Sequence, residues 1–207
     1  MNAIASPLTF PDKLLIGGEL VTGDGIAEPI LNPATGEAVC SVKEASIEQI
    51  DAAVHSASAA FPAWSRTTPA QRSALLLEIA TSIDQQADYL AGLEAVNCGK
   101  PAHLARQDDL AATADEFRFF AGAVRCQQGQ LAGEYLPGFT SMVRRDPIGL
   151  VASIAPWNYP LMMAAWKLAP ALAAGNCLIF KPSEHTPLST LAMAPTLAQI
   201  LPAGVIN

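Results

Sequence analysis

Leu150-Val151-Ala152-Ser153-Ile154-Ala155, closed by Pro156-Trp157-Asn158-Tyr159-Pro160, and Cys177-Leu178-Ile179-Phe180, closed by Lys181-Pro182-Ser183-Glu184, are the two runs on which the fold turns. Each is short, apolar and bounded by turn residues, the pattern of a strand buried on both faces of a parallel sheet. Between them, Pro160 suits the first turn of a helix, where its missing N–H costs nothing, and Gly175 suits the left-handed terminator. After the second strand, Thr186-Pro187 reads as the cap and start of another helix towards Leu201. Strand, helix, strand, helix in this order predicts an open α/β sheet with a right-handed crossover. In such sheets ligands bind beyond the carboxyl ends of the strands, so the loops 156–159 and 181–184 should share one rim. No GxGxxG follows the first strand, so a dinucleotide here would bind by another arrangement than the usual glycine fingerprint.

Upstream, helical periodicity dominates. Leu14 to Val21 reads as a strand, Thr22-Gly23-Asp24-Gly25 as a tight turn, and a further strand ends at Asn32-Pro33-Ala34-Thr35-Gly36. Ser46-Ile47-Glu48-Gln49 is a capping box opening a helix with Ile47, Ile50, Val54, Ala57 and Phe61 inward. Thr68-Pro69-Ala70-Gln71 opens a second, with Leu75, Leu76, Ile79 and Ile83 inward. A third runs through Leu90 and Leu93 to Asn97 and is stopped by Gly99 and Pro101. An Ala-rich fourth covers Ala102 to Cys126, and within the looser stretch to Pro147 the segment Phe139 to Arg145 reads as a strand. The division is therefore 1–127, an N-terminal helical part; 128–147, an extended segment; and 148–207, the first βαβ(α) of the sheet.

The 207 residues, 51% hydrophobic and 15% charged, suffice for a substantial core. A formal charge of −7 without a basic stripe argues against nucleic-acid partners. No run approaches the roughly 20 apolar residues that span a bilayer, and the start has no signal-peptide pattern. Cys40, Cys98, Cys126 and Cys177 are scattered, without CxxC pairing or histidines at ligand spacing. No metal site or disulfide framework is expected, the four are expected to be buried small hydrophobes, and a reducing cytoplasm fits.

Three linked motifs carry a resemblance: Ile154-Ala155-Pro156-Trp157-Asn158-Tyr159-Pro160, then Trp166-Lys167-Leu168-Ala169-Pro170-Ala171-Leu172-Ala173-Ala174-Gly175-Asn176, then Lys181-Pro182-Ser183-Glu184 with Thr186-Pro187. In these, and in Asn32-Pro33-Ala34-Thr35-Gly36 and Asn97-Cys98-Gly99-Lys100-Pro101, the chain resembles the N-terminal portion of the aldehyde dehydrogenase superfamily. Through Arg144-Arg145-Asp146-Pro147 and Pro160 to Lys167 it is most similar to the γ-aminobutyraldehyde dehydrogenases of putrescine breakdown and their betaine-aldehyde relatives. The resemblance implies a helical layer and hairpins leading into a doubly wound, Rossmann-like parallel sheet, an aldehyde substrate such as 4-aminobutanal, NAD rather than NADP, and a homo-oligomer, with 128–147 as an oligomerisation-type segment.

It also implies roles. A cysteine thiolate attacks the aldehyde, hydride passes to the nicotinamide, and a glutamate activates the water that hydrolyses the thioester. Asn158 matches the side-chain donor to the oxyanion, a kind of contact worth about 2.7–4 kcal/mol of barrier. Lys181 and Glu184, within Lys181-Pro182-Ser183-Glu184, match the pair that holds the adenosine ribose hydroxyls, and the carboxylate favours a free 2′-hydroxyl. Ile154, Ala155, Pro156 and Trp157 match the strand end along the cofactor; Tyr159, Met163 and Trp166 match the substrate tunnel; Lys167 matches a lysine near the active centre. Asp108 matches a carboxylate that meets the substrate ammonium in aminoaldehyde enzymes.

Each residue also has a plainer reading. Asn158 beside proline suits a turn, Trp157, Met163 and Trp166 suit a core, Lys181 and Glu184 a solvated pair, and Asp108 beside Asp109 a wet helix face. Pro195 falls inside the last helix, where it removes one backbone bond at a cost of about 3 kcal/mol unless the helix kinks. The family's Glu-Leu-Gly-Gly and Gly-Gln-x-Cys segments are expected beyond Asn207, with the catalytic domain absent. The alternative is a truncated, non-catalytic nucleotide-binding or assembly module.

Overall fold

Ser46 and Thr68 begin the helical layer as their sequence motifs require. In the computed structural model, which describes residues 8–207, each hydroxyl accepts from the amide three residues on, and the glutamine there reaches back to the cap amide. These capping boxes start α1 (Ile47–Trp64) and α2 (Pro69–Gln85). α3 (Ala87–Cys98) ends at Gly99, whose φ of 73° is the left-handed terminator expected of it. The predicted fourth helix is interrupted. A short α4 (Ala102–Leu104) passes into one π-helical turn over Ala105–Leu110 before α5 (Ala111–Ala123) and a closing 3-10 turn, Val124–Cys126.

The strands come as three antiparallel hairpins and one parallel unit. β1 (Lys13–Ile16) pairs with β2 (Glu19–Thr22), β3 (Ala27–Leu31) with β4 (Ala38–Lys43), and β5 (Gln130–Leu136) with β6 (Phe139–Val143). The single strand expected over Leu14–Val21 is thus a hairpin. Gly17 and Gly18, at φ 64° and 87°, fold it back in a two-residue turn that needs two positive φ angles. β5 was not foreseen, because it carries no apolar alternation and shifts register twice against β6.

β7 (Leu150–Ile154) and β8 (Cys177–Lys181) are parallel and in register from Leu150 opposite Cys177 to Ile154 opposite Lys181. α6 (Pro160–Ala173) connects them with Pro160 in its first turn, and Gly175 follows at φ 84°. α7 (Leu188–Ile200) leaves β8 and runs through Pro195, which is exposed. A third parallel strand begins at the far edge: Leu178 N–H donates to Val205 O at 2.9 Å and Asn207 N–H to Leu178 O at 3.0 Å. The architecture is α/β, as expected.

Four expectations about burial and capping need correction. α1 buries Ala53, Ala57 and Trp64, while Ile47, Ile50 and Val54 are exposed. Ile50 and Ala53 line a cleft rather than the core. β7 is not covered on both faces, and Ile154 is 72% exposed. Of the cysteines only Cys177 is buried; Cys126 is exposed. Thr186 does not cap α7, because its hydroxyl points to the neighbouring loop, and the amide of Leu188 is taken instead by Asn97 Oδ1 at 3.3 Å.

One continuous core joins helices and sheet, from Ile30 and Trp64 through Leu76, Ile79 and Leu90 to Leu172, Leu178 and Val205. Its polar pins sit at the amino-terminal side of the sheet. Trp64 Nε1–H donates to Asn176 O at 3.0 Å, and Asn176 Oδ1 accepts from Gly149 N–H at 3.1 Å. Buried Arg72 donates from Nε to Ala173 O at 2.7 Å and from Nη1 to Thr67 O, capping the carboxyl end of α6. With that end fixed, the opposite ends of the strands carry the polar loops.

Candidate functional site

Because Ile154 and Lys181 are directly paired, both strands stop at the same level and their loops leave side by side. The last rung is Ala155 N–H to Lys181 O at 3.0 Å. From there 156–159 and 182–187 run together, joined where Thr186 Oγ1–H donates to Trp157 O at 3.1 Å. The common rim expected from the sequence is what the backbone builds.

On the first loop, Pro156, Trp157, Asn158 and Tyr159 are exposed, and Asn158's side chain has no hydrogen-bond partner among the described residues. Tyr159, Met163 and Trp166 follow at intervals of four and three along the start of α6, which sets them on one side of the helix. Trp157 and Trp166, 63% and 53% exposed, are not core residues. Lys167, next to Trp166, is half-buried.

On the second loop Lys181 Nζ lies 2.6 Å from Glu184 Oε2, both side chains remaining substantially exposed. The hydrogen bond from Lys181, reinforced by Glu184's own amide, holds the Glu184 carboxyl at about 2, well below the usual carboxylate range. His185 Nε2 stands 3.8 Å from the other carboxylate oxygen, a neighbour the sequence did not single out. Ser183 is buried and organises the turn, with Thr186 N–H donating to its carbonyl and His185 N–H to its hydroxyl. A cleft of about 420 Å³ opens beside this rim, lined by Ile154, Phe180, Lys181, Pro182 and Glu184 among others.

Asp108 is on the π-helical turn and exposed, whereas the adjacent Asp109 is buried and paired with Lys100. Lys100 Nζ in turn lies 4.2 Å from the centre of the Tyr159 ring. It is therefore Asp109, not Asp108, that is linked to the first loop.

Beneath the rim lies a group that the sequence reading missed. Glu94, 2% exposed, accepts from Leu161 N–H at 3.2 Å and from Ser189 Oγ–H at 2.5 Å, with Cys98 Sγ at 3.5 Å. Burial raises its pKa against these hydrogen bonds. Asn97 donates to His185 O at 2.9 Å. The available signal was a glutamate and an asparagine three apart on the apolar stripe that holds Leu90 and Leu93. Burial and the Glu94 carboxylate push the Cys98 thiol up, and burial pushes Cys177 up to about 11, so neither is a ready nucleophile. Among the described residues no three of His, Cys, Asp or Glu gather to hold a metal ion, and no helix is long and apolar enough to cross a membrane.

Parallel strands with polar loops at their carboxyl ends define the class of open α/β proteins that bind ligands at the strand tips. Within that class, the model of the aldehyde dehydrogenase family matches residues 21–207, and the chain belongs to this family. It is 45% identical over 175 residues to the fluoroacetaldehyde dehydrogenase of Streptantibioticus cattleyicolor, covering 84% of this chain and 34% of that protein. An NAD+ complex of aldehyde dehydrogenase from Bacillus cereus superposes with a TM-score of 0.91 at 38% identity, over 97% of this chain and 41% of that one. A betaine aldehyde dehydrogenase variant from Staphylococcus aureus, in complex with NAD+, gives 0.91 at 33% identity, over 96% and 41%. The chain thus spans between 34% and 41% of the length of these relatives.

Proposed function

We propose that the chain supplies the cofactor rim and the oxyanion donor of an NAD-dependent aldehyde dehydrogenase. The observation that carries this is the pairing of two strand ends in register, one leading to the unbonded Asn158 amide and the other to the Lys181–Glu184 pair. A donor and an acceptor held 2.6 Å apart at an exposed strand tip fit the two vicinal hydroxyls of a ribose. Glu184 stays ionised there, which favours a free 2′-hydroxyl, and hence NAD, over a 2′-phosphate. Bound NAD would supply the hydride acceptor.

The remaining work falls to this chain's own groups. The main chain of Ile154, Ala155, Pro156 and Trp157 lies along the cofactor, beside Pro182 and Ser183. Asn158 donates its amide N–H to the oxygen that gains charge as the aldehyde carbon becomes tetrahedral. Tyr159, Met163 and Trp166 line the aldehyde's approach, with Lys167 near it. The nucleophile is a cysteine outside Cys40, Cys98, Cys126 and Cys177, none of which stands in the family's Gly-Gln-x-Cys setting. Assembly into a homo-oligomer would use the 128–147 segment, whose hairpin exposes Leu131, Tyr135, Leu136, Phe139 and Met142.

For the aldehyde, we propose an ω-aminoaldehyde such as 4-aminobutanal, on the motifs 144–147 and 160–167, with Asp108 as the ammonium partner. A second reading, a short uncharged aldehyde, is favoured by the 45% identity to the fluoroacetaldehyde enzyme and by the outward position of Asp108. The test is NADH formation by the reading frame that carries this chain, with any sequence following Asn207, on 4-aminobutanal, betaine aldehyde and acetaldehyde. NADH with the aminoaldehyde in preference supports the first reading, and with acetaldehyde the second. No NADH with any of the three would refute the enzymatic reading.

A further inference from the structure

Resting on that function, we propose that the end of α3 is a positioning element: Glu94, Asn97 and Lys100 together set the oxyanion loop and the ribose loop relative to each other. None of the three is assigned contact with a ligand, yet each holds a segment that is.

Glu94 acts on the first loop. Pro160 has no N–H, so Leu161 offers the first free amide of α6, and Glu94 Oε1 accepts it at 3.2 Å. The same oxygen accepts from Ser189 at 2.5 Å, in the first turn of α7. One buried carboxylate therefore joins the helix that follows Asn158 to the helix that follows Glu184. Its carboxyl lies at the amino-terminal ends of both helices.

Asn97, one turn further on, acts on the second loop. Its Nδ2 donates to His185 O at 2.9 Å and its Oδ1 accepts from Leu188 N–H at 3.3 Å, bracketing the stretch that returns from Glu184 to α7. Lys100, just past the left-handed Gly99, completes the set. Asp109 fixes its ammonium, which lies 4.2 Å from the Tyr159 ring, adjacent to Asn158. Glu94 and Asn97 are 2% and 5% exposed, so both geometries are held away from water. Thr186 and Trp157 join the two loops directly, and α3 ties them together a second time.

The test uses the chain itself, comparing Asn97→Ala, Glu94→Ala and Glu94→Gln with Leu76→Val, a core change in α2, outside both loops. Amide hydrogen exchange is followed at Thr186, which donates to Ser183 O, and at Met163, which donates to Tyr159 O. Asn97→Ala should speed exchange at Thr186 about five- to tenfold, the effect of losing one hydrogen bond. Glu94→Ala should do so at Met163, and Glu94→Gln, which keeps the acceptor, should restore it. Calorimetric titration with NAD should show about five- to tenfold weaker binding in Asn97→Ala and unchanged binding in Leu76→Val. Exchange at both amides no faster than in Leu76→Val would overturn the positioning role. If the unsubstituted chain binds no NAD, the cofactor reading falls, while exchange still decides whether α3 holds the loops.

Discussion

The hydroxyl of Thr186 donates to the main-chain oxygen of Trp157 at 3.1 Å, fastening the loop after β8 to the loop after β7. Thr186 is buried, so the bond is shielded from competing water. Thr186→Val removes the donor at nearly constant shape and should cost about 1 kcal/mol, measured as a lower urea midpoint at unchanged slope. Thr186→Ser should recover most of it. Equal midpoints for the serine and valine variants would show that the bond contributes nothing.

The Lys181–Glu184 pair predicts a pH dependence of nucleotide binding. The Glu184 pKa is depressed, to about 2, so in the folded protein the carboxylate stays charged and paired until pH falls close to 2. On the proposed function, NAD affinity should be flat at neutral pH and fall only in that acid window. Glu184→Gln should lower NAD affinity about tenfold at neutral pH and narrow the gap to NADP, since a neutral amide does not repel a 2′-phosphate. Calorimetry with both nucleotides checks it, and an unchanged NAD-to-NADP ratio would remove Glu184 from ribose recognition.

Glu94 has the opposite sign. Burial raises its folded pKa, so its contribution to stability is fully present below the unfolded carboxylate value and declines as pH rises through the folded one. Glu94→Gln cannot ionise and keeps an acceptor for Leu161 and Ser189. Its stability relative to the parent should therefore increase from about pH 4 upward, a trend readable in thermal melts across pH. Parallel curves for the two proteins would mean that Glu94 titrates as it does when unfolded.

Arg72 holds the other end of α6. Arg72 is 7% exposed and its guanidinium donates to Ala173 O and Thr67 O, so Arg72→Met would leave two carbonyls without this donor. We expect a loss of about 3 kcal/mol, as for buried charged hydrogen bonds, and only partial recovery with Arg72→Lys, whose single ammonium cannot serve both acceptors in one plane. Urea unfolding of the three proteins measures it.

Much of the frame was legible because the signals are local. Ser46 with Gln49, Thr68 with Gln71, Pro160 at the start of α6 and Gly99 and Gly175 after α3 and α6 each act within a few residues of themselves. The two apolar runs gave β7 and β8, and the register of Ile154 with Lys181 brought Asn158 and Glu184 to one rim. Periodicity misled where a face is apolar without being core, as along α1, where Ile50 lines a cleft. It was silent on β5, whose residues do not alternate. The extra residue of the π-helical turn also lay beyond it, and that turn sends Asp109 inward to Lys100 and leaves Asp108 in water.

By itself the sequence determined the first three helices, the strand–helix–strand–helix unit of β7, α6, β8 and α7, the α/β class and the two loops that carry polar residues, because capping, turn chemistry and apolar runs are read over three or four neighbours. Only the tertiary structure decided what holds those loops. Asn97 meets His185 and Leu188 across 88 and 91 residues, and Glu94 meets Ser189 across 95. No local pattern encodes such partners, because a buried carboxylate or amide is satisfied by whatever donors packing brings to it, and that packing is a property of the whole core.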